Sequence, residues 1–118
     1  MTINKITILK GNPYIGAISV IDSSGNPYDL TGKTVMFTVK NLYDNTDTDS
    51  LALIQKDVTV HDNPEQGKTS INLTSEETDV HIGFYKWDIR VYEASKGIQM
   101  NTTTGACEIK DVVTKRKT

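Results

Sequence analysis

The feature that most constrains this chain is an alternation of apolar and polar side chains with a period of two. In residues 33–40 and again in residues 84–92, every second position carries an apolar side chain. This alternation is typical of half-buried β-strands and differs from the 3.6-residue period of a helix. The residues predicted to face the core are Val35, Phe37, Val39, Tyr85, Trp87, Ile89 and Val91.

Further strand candidates extend the same pattern along the chain. They are residues 3–9, 14–22, 51–60, 68–73, 97–103 and 105–112. Turns rich in Gly, Asn and Pro separate them, as in Gly11-Asn12-Pro13 and in residues 63–67. Many short strands with polar turns between them predict a β-sandwich or a β-barrel. Thr74-Ser-Glu-Glu77 has the spacing of a capping box and predicts one short crossover helix near residues 74–79.

Length and charge limit the classes of protein that this chain can belong to. The 118 residues fit one domain, and we expect a single β-sandwich over residues 1–114 with a basic tail at 115–118. The net charge is −2. Because binding to nucleic acid requires a clustered positive surface, we expect no nucleic-acid partner.

The single cysteine and the N-terminus predict the compartment in which the chain folds. One cysteine, Cys107, allows no internal disulfide, and its place in an alternating strand predicts a small buried side chain. The start of the chain has no basic segment followed by an apolar run, so we expect folding in a cytoplasm. No apolar stretch approaches the roughly 20 residues that span a bilayer, so no membrane partner is expected.

One tripeptide, Gly32-Lys33-Thr34, has the sequence that closes a phosphate-binding loop. The first glycine of that motif would fall at position 27, which is occupied by Pro27. Proline removes a backbone donor from a loop that binds phosphate through backbone amides. A strand rather than a helix is predicted to follow the tripeptide. We therefore predict a glycine turn that opens a strand, with Leu30 filling the edge of the core.

Other candidate chemistry is equally weak. His61 and His81 belong to no short metal-binding pair, and the acidic loop with Asp44, Asp47 and Asp49 lacks the glycine of a calcium-binding loop. No nucleophile–base motif and no spaced pair of carboxylates is present. We therefore predict no catalytic residues, no cofactor, no metal site and no enzymatic activity.

The stretch Gly83-Phe84-Tyr85-Lys86-Trp87 narrows the fold class. A tyrosine two residues after a glycine, at the start of a core strand, resembles the tyrosine corner of immunoglobulin-type sandwiches. Trp87 stands where an antibody domain has its cysteine, and a buried indole can fill that space without a disulfide. The expected fold is an immunoglobulin-like antiparallel β-sandwich of about 7–9 strands. Its predicted core and corner include Phe37, Leu73, Gly83, Tyr85 and Trp87.

The order of these features resembles a family of phage proteins. A turn of the form D-x-x-G-x-P-x-D-L-T-G-K precedes a V-x-F-x-V strand; after a polar loop come I-N-L-T and T-x-x-x-x-G-x-Y-x-W-D-I-x-V. Over roughly residues 11–114 the order resembles the N-terminal immunoglobulin-like domain of baseplate upper proteins of tailed phages, and related small phage tail proteins. The residues that carry the resemblance are Asp22, Gly25, Pro27, Leu30, Gly32, Leu73, Thr78, Gly83, Tyr85, Trp87 and Asp88.

This resemblance implies a non-enzymatic virion component that docks other tail or baseplate proteins and forms homo-oligomers. It implies a place in the virion after assembly in the bacterial host cytoplasm. The aromatic residues expected off the core face, and therefore the candidates for an interface, are Tyr14, Tyr28, Tyr43 and Tyr92.

Two alternatives remain open at this point. The baseplate proteins continue into helical and receptor-holder-binding regions, whereas this sequence stops at residues 115–118. It is either a stand-alone small tail protein or the first part of a longer one, and a receptor-binding module is not implied. The alternative function is a carbohydrate- or ligand-binding sandwich module, which would need an exposed aromatic platform or a loop organised by calcium.

Overall fold

The computed structural model of the protein describes residues 5–44, 50–101 and 105–113, which form eight strands and one short 3₁₀ turn at Pro64–Gln66. The strands are β1 (Ile6–Leu9), β2 (Tyr14–Ser19), β3 (Thr34–Asn41), β4 (Ile54–Val58), β5 (Lys68–Leu73), β6 (Gly83–Glu93), β7 (Gly97–Asn101) and β8 (Gly105–Lys110). Each strand lies within a segment predicted from the alternation or extends at most one residue beyond it. The period of two therefore located the strands correctly.

The strands form two sheets. The larger sheet has the order β1-β8-β6-β3-β4, and β7 pairs with β6 beside the part of that strand that β8 leaves uncovered. The smaller sheet consists of β2 and β5. This arrangement is an immunoglobulin-like β-sandwich, which confirms the predicted fold class.

One strand pair departs from the antiparallel prediction. β1 runs parallel to β8, with Ile6 opposite Cys107 and Leu9 opposite Lys110. Parallel neighbours cannot be joined by a hairpin, and here almost the whole domain connects the two strands. The alternation of side chains is the same in both directions, so the sequence pattern could not show this orientation.

The predicted helix at 74–79 is wrong, although its capping box forms. The Thr74 amide donates to Glu77 Oε1 at 2.9 Å, and the Glu77 amide donates to Thr74 Oγ1 at 3.2 Å. The Thr78 amide closes a single turn on the Thr74 carbonyl at 3.2 Å. Thr78 is fully buried, and its hydroxyl donates to the Asn12 carbonyl at 2.7 Å. This hydrogen bond holds the chain against the β1–β2 turn. The segment forms only one turn, which is too short to propagate as a helix.

The core lies between the two sheets and follows the predicted alternation. Along β3, the odd-numbered positions Val35, Phe37 and Val39 are buried and their neighbours are half-buried. The buried apolar side chains are Ile8, Val20, Leu30, Val35, Phe37, Val39, Ile54, Ile71, Leu73, Tyr85, Ile89, Val91, Cys107 and Ile109. The predicted core positions Phe37, Leu73 and Tyr85 are therefore confirmed, as is the burial of Leu30 and Cys107.

The tyrosine corner is present. Tyr85 Oη donates to the His81 carbonyl at 2.9 Å, four residues upstream, and the ring is buried. Gly83 lies between them with φ of +151°, a region that strongly favours glycine. Trp87 is half-buried, and its ring centroid lies 5.9 Å from that of Phe37 at an angle of 39°. The indole thus packs in the core, as the sequence predicted.

A glycine contact holds the β2–β3 connection in place. The Val20 amide donates to the Gly67 carbonyl at 2.8 Å, and the Tyr28 amide donates to the Val20 carbonyl at 2.9 Å. A Cβ on Gly67 would lie 2.3 Å from the Val20 carbonyl oxygen and 2.8 Å from that of Tyr28. Since these atoms belong to the backbone, they cannot move aside without breaking the pairing.

The tyrosine corner predicts that removal of the Tyr85 hydroxyl lowers the stability of the fold. In Tyr85→Phe, the His81 carbonyl loses its buried donor while the ring stays in place, so we expect the free energy of unfolding to fall by about 1–2 kcal/mol. Tyr43→Phe is the matched control, because Tyr43 is 87% exposed. Urea titration followed by Trp87 fluorescence measures both variants. Equal stability of the two variants would contradict a stabilising corner bond.

Gly67→Ala tests the contact between the β2–β3 connection and the start of β5. Gly67 has φ of +69°, so alanine adds left-handed strain of about 1–2 kcal/mol and overpacking of about 1–3 kcal/mol. Gly25→Ala isolates the first effect, because φ is +83° at Gly25 and nothing lies within 4 Å of its added Cβ. Thermal unfolding should show a clearly larger loss for Gly67→Ala, and an equal loss would rule out the steric contribution.

Candidate functional site

The outer face of the larger sheet carries the side chains that alternate with the core. Met36 and Thr38 of β3 lie between Asp57 and Gln55 of β4 on one side and Arg90 and Asp88 of β6 on the other. A shallow depression between β3 and β4 is lined by Met36, Thr38, Gln55, Lys56 and Asp57. This central region mixes both signs of charge with small polar groups, which is typical of a solvated sheet face.

One end of the same sheet is different, because apolar side chains point into solvent there. Phe84, at the start of β6, alternates with buried Tyr85 and is 65% exposed. Asn41 is the last residue of β3 to pair with β6, opposite Tyr85, and Leu42 follows it in the turn at this end of the sheet. On the other side of β6, Phe84 lies opposite Glu108 of β8. A phenylalanine therefore occupies a position in a row where the pattern favours polar residues.

Further apolar side chains lie at this end of the sandwich. β1 and β8 both finish here, since Leu9 pairs with Lys110, and the connection between β3 and β4 starts and ends here. We define the end patch as Leu9, Leu42, Tyr43, Leu51, Ile82 and Phe84, whose exposed fractions are 44%, 44%, 87%, 64%, 53% and 65%. Large exposed apolar side chains that gather at one end of a sheet are candidates for a contact site.

Two charged side chains close to Phe84, those of Lys86 and Glu108, have partners within the chain. Lys86 Nζ donates to the Asp44 carbonyl at 2.7 Å, which fastens the end of β3 to β6. Lys5 Nζ lies 3.3 Å from Glu108 Oε1. With these charges engaged, the apolar side chains are the groups that gain most from a partner, since burying them releases water.

Two of the four predicted interface tyrosines do not lie off the core face. Tyr14 and Tyr28 are half-buried and pack against the core cluster. The Tyr14 ring covers Gly16, where an added Cβ would lie 2.9 Å from ring atoms. Burial, with a smaller contribution from Cys107, raises the pKa of Tyr14. The expectation of an outward position is wrong for both residues. Tyr14 begins β2 on its inner face, and Tyr28 lies in the connection between β2 and β3 with its ring against the core.

Tyr43 and Tyr92 lie off the core face but far from each other. Tyr43 is in the end patch, whereas Tyr92 pairs with Thr34 at the opposite end of β3 and β6. Seven residues of extended strand separate the two ends by roughly 23 Å. The four tyrosines therefore form no common surface, and an interface role for Tyr43 or Tyr92 stays a prediction.

His61 and Cys107 have structural positions. His61 Nε2 lies 2.7 Å from the Lys33 carbonyl and Nδ1 lies 2.9 Å from Thr69 Oγ1. A carbonyl only accepts, so Nε2 carries the proton and donates it to Lys33, which joins the β4–β5 connection to the start of β3. Burial raises the pKa of the Cys107 thiol to about 12, so the thiol is protonated and unreactive at neutral pH.

The other sequence candidates are placed as follows. Among residues 5–44, 50–101 and 105–113, no group of three His, Cys, Asp or Glu side chains is arranged to hold a metal ion. Asp47 and Asp49 of the acidic loop lie outside the described residues. Gly32-Lys33-Thr34 is a turn: the Lys33 amide donates to the Leu30 carbonyl at 3.0 Å, and Thr34 begins β3. None of the described helical segments is long and apolar enough to cross a membrane.

An ion pair bridges the two sheets at the turn that contains Glu77. Lys56 on edge strand β4 reaches Glu77 in the β5–β6 connection, with Nζ 3.1 Å from Oε1. The Thr74 amide bond is the largest cause that lowers the pKa of Glu77, and Lys56 lowers it further, while desolvation acts in the opposite direction. The carboxylate therefore serves two partners at once and stabilises the turn before the tyrosine corner.

Sequence reasoning missed Phe84, an exposed aromatic side chain on the outer face of β6. The signal was present, because the alternation that assigns Tyr85 and Trp87 to the core assigns Phe84 to the outside. A bulky aromatic residue in the polar phase of a strand is itself informative. Leu42 and Leu51 could not be assigned in this way, because they lie outside the regular strands.

Comparisons with known proteins add the following. No protein-family model and no curated protein matches the chain. Among solved structures, a chain described with structure-based photo-crosslinking analyses of multimeric cell-adhesive interactions of VGSC beta subunits is similar at 14% identity. The match covers 92% of this chain and 91% of that chain with a TM-score of 0.40. This likeness concerns the overall fold alone.

The Glu77 contacts predict part of the acid sensitivity of the protein. Because the folded-state pKa lies below the ordinary value of 4.5, this stabilisation is present above that pH and is lost as pH falls through the folded pKa. In Glu77→Gln, the free energy of unfolding should therefore decrease less steeply below about pH 5 than in the wild type. Glu76→Gln, at the exposed neighbouring position, is the control. Identical pH slopes for wild type and Glu77→Gln would contradict this role.

Proposed function

We propose that this chain is a non-enzymatic structural protein of a phage or prophage tail or baseplate, which acts through contacts with other proteins. The observation that carries the proposal is the end patch, a set of exposed apolar side chains around Phe84 at one end of the larger sheet. The proposed location is the virion, after assembly in the bacterial host cytoplasm.

The end patch supports contact with a protein more than contact with a charged ligand. Nearby charged groups such as Lys86 and Glu108 have partners within the chain. Phe84 and Tyr43 provide two aromatic side chains at the same end of the sheet. Stable protein interfaces bury about 800 Å² on each partner and favour aromatic residues at their centres. Phe84 is placed to act as such an anchor, with Leu42 at the same end of the sheet.

The phage assignment has a different support. It comes from the order of turn and strand motifs, from Asp22-x-x-Gly25-x-Pro27 to Tyr85-x-Trp87-Asp88, which resembles phage baseplate domains. The described geometry around these residues is structural: the Asp22 carboxylate accepts from the Ser24 and Asn26 amides, and Tyr85 makes the corner bond. These residues support the fold, and the partner would be recognised by the end patch.

The experiment is capture of the tail and baseplate proteins encoded beside this chain, with variants on and off the end patch. We expect Phe84→Glu to reduce capture by at least about tenfold, since a charge replaces a central apolar anchor. Val60→Glu is the matched control, because Val60 is 85% exposed and lies in the β4–β5 connection. Circular dichroism establishes that both variants are folded.

Three outcomes would count against the proposal. Capture of no tail or baseplate protein would contradict the phage role. Equal capture by wild type and Phe84→Glu would remove the end patch as the contact surface. Binding to a glycan array that Phe84→Glu or Tyr43→Ala abolishes would instead support the carbohydrate-binding alternative, in which the two exposed aromatic rings stack on sugars.

A further inference from the structure

Strand β2 is an edge of the smaller sheet, and unlike the other edge strands it has no charged residue close to it. β2 pairs with β5 on one side, and the residues that the structure describes place no strand on its other side. An unpaired edge offers a row of backbone donors and acceptors to any other strand. Proteins normally protect such edges with charged residues, proline or bulges.

The direction of the β2 amides follows from one hydrogen bond. The Val20 amide donates to the Gly67 carbonyl, on the side of β5. Because backbone groups alternate along a strand, the even-numbered residues of β2 bond towards β5. The amides of Ile15, Ala17 and Ser19 therefore point towards the uncovered edge. Three donors and their carbonyls are available there in one register.

The edge of β2 carries no charge. The sequence from Gly11 to Ile21 contains no Asp, Glu, Lys, Arg or His. The other edge strands each have a lysine in or next to them: Lys5 and Lys10 flank β1, Lys56 lies in β4, Lys68 lies in β5 and Lys96 precedes β7. Antiparallel self-pairing of β4 about its centre would place Lys56 opposite its own copy. Antiparallel pairing of β2 with its own copy places no like charges opposite each other.

We propose that β2 pairs antiparallel with β2 of a second copy of this chain, so that two small sheets become one four-stranded sheet across a two-fold axis. This goes beyond the proposed function and uses a surface separate from the end patch. An isologous contact of this kind closes on itself and yields a dimer.

The side chains of β2 fit this register. With Ala17 on the two-fold axis, Ile15 lies opposite Ser19 of the second copy, and Ala17 lies opposite its own copy. Ile15 is 73% exposed in the single chain and gains a cross-strand neighbour in the pair. Ala17 and Ser19 are small enough to let the two backbones approach to the usual strand spacing of about 4.8 Å.

A charge at the centre of the edge tests the proposal. Light scattering should show the wild-type mass rising towards that of two chains as concentration increases. Ala17→Lys places two ammonium groups opposite each other on the axis, so we expect its dimer dissociation constant to rise by at least about tenfold. Asn72→Lys is the matched control, because Asn72 faces the same side of the sheet from β5, opposite Ile15. It should dimerise like the wild type.

Amide exchange gives an independent readout that needs no variant. In concentrated solution the amides of Ile15, Ala17 and Ser19 should exchange more slowly than in dilute solution, while those of Gly16 and Ile18 should not change. A wild-type chain that stays monomeric at all concentrations would overturn the proposal. So would a dimer that Ala17→Lys leaves intact, or protection that appears at the end patch instead. Loss of tail-protein capture in Phe84→Glu with an intact dimer would leave this inference standing.

Discussion

Strand β6 is the element on which the rest of this domain depends. Its eleven residues pair with β3 along one edge and with β7 and β8 along the other. Its inner face provides Tyr85, Ile89 and Val91 to the core, and the corner bond from Tyr85 to His81 fixes the chain that leads into it. The position of the end patch follows as well, because Phe84 takes the outer face once Tyr85 takes the inner one.

The domain reaches this arrangement without the disulfide that joins the two sheets in antibody domains. Three other contacts stabilise the domain. Phe37 and Trp87 pack against each other in the core, and Thr78 bonds across to Asn12 at the β1–β2 turn. Lys56 and Glu77 join the edge of one sheet to the connection that leaves the other. Aromatic packing and side-chain hydrogen bonds are independent of redox conditions, so these contacts do not require an oxidising environment.

The sequence predicted those parts of the structure that depend on local periodicity. The strand positions, the burial of Phe37 and Leu73, and the tyrosine corner all follow from alternation and from one glycine–tyrosine spacing. The parallel direction of β1 could not be predicted, because side chains alternate in the same way in parallel and antiparallel strands. The helix at 74–79 failed because the capping box closes only one turn, which is too short to propagate. Tyr28 was misplaced because its side depends on how the β2–β3 connection packs against Gly67. Tyr14 was misplaced although it shares the inner face of β2 with Ile18, which the alternation could have indicated.

The parallel pairing of β1 and β8 has a mechanical consequence. Both strands run from the same end of the sandwich to the same opposite end. A tension applied to the start of β1 and the end of β8 would pull along the strands in opposite directions. The bonds between them would then be sheared together, whereas the bonds of a hairpin peel apart one after another. This geometry makes the domain resist stretching along these strands, so its resistance to force comes from strand direction as well as from the size of its core.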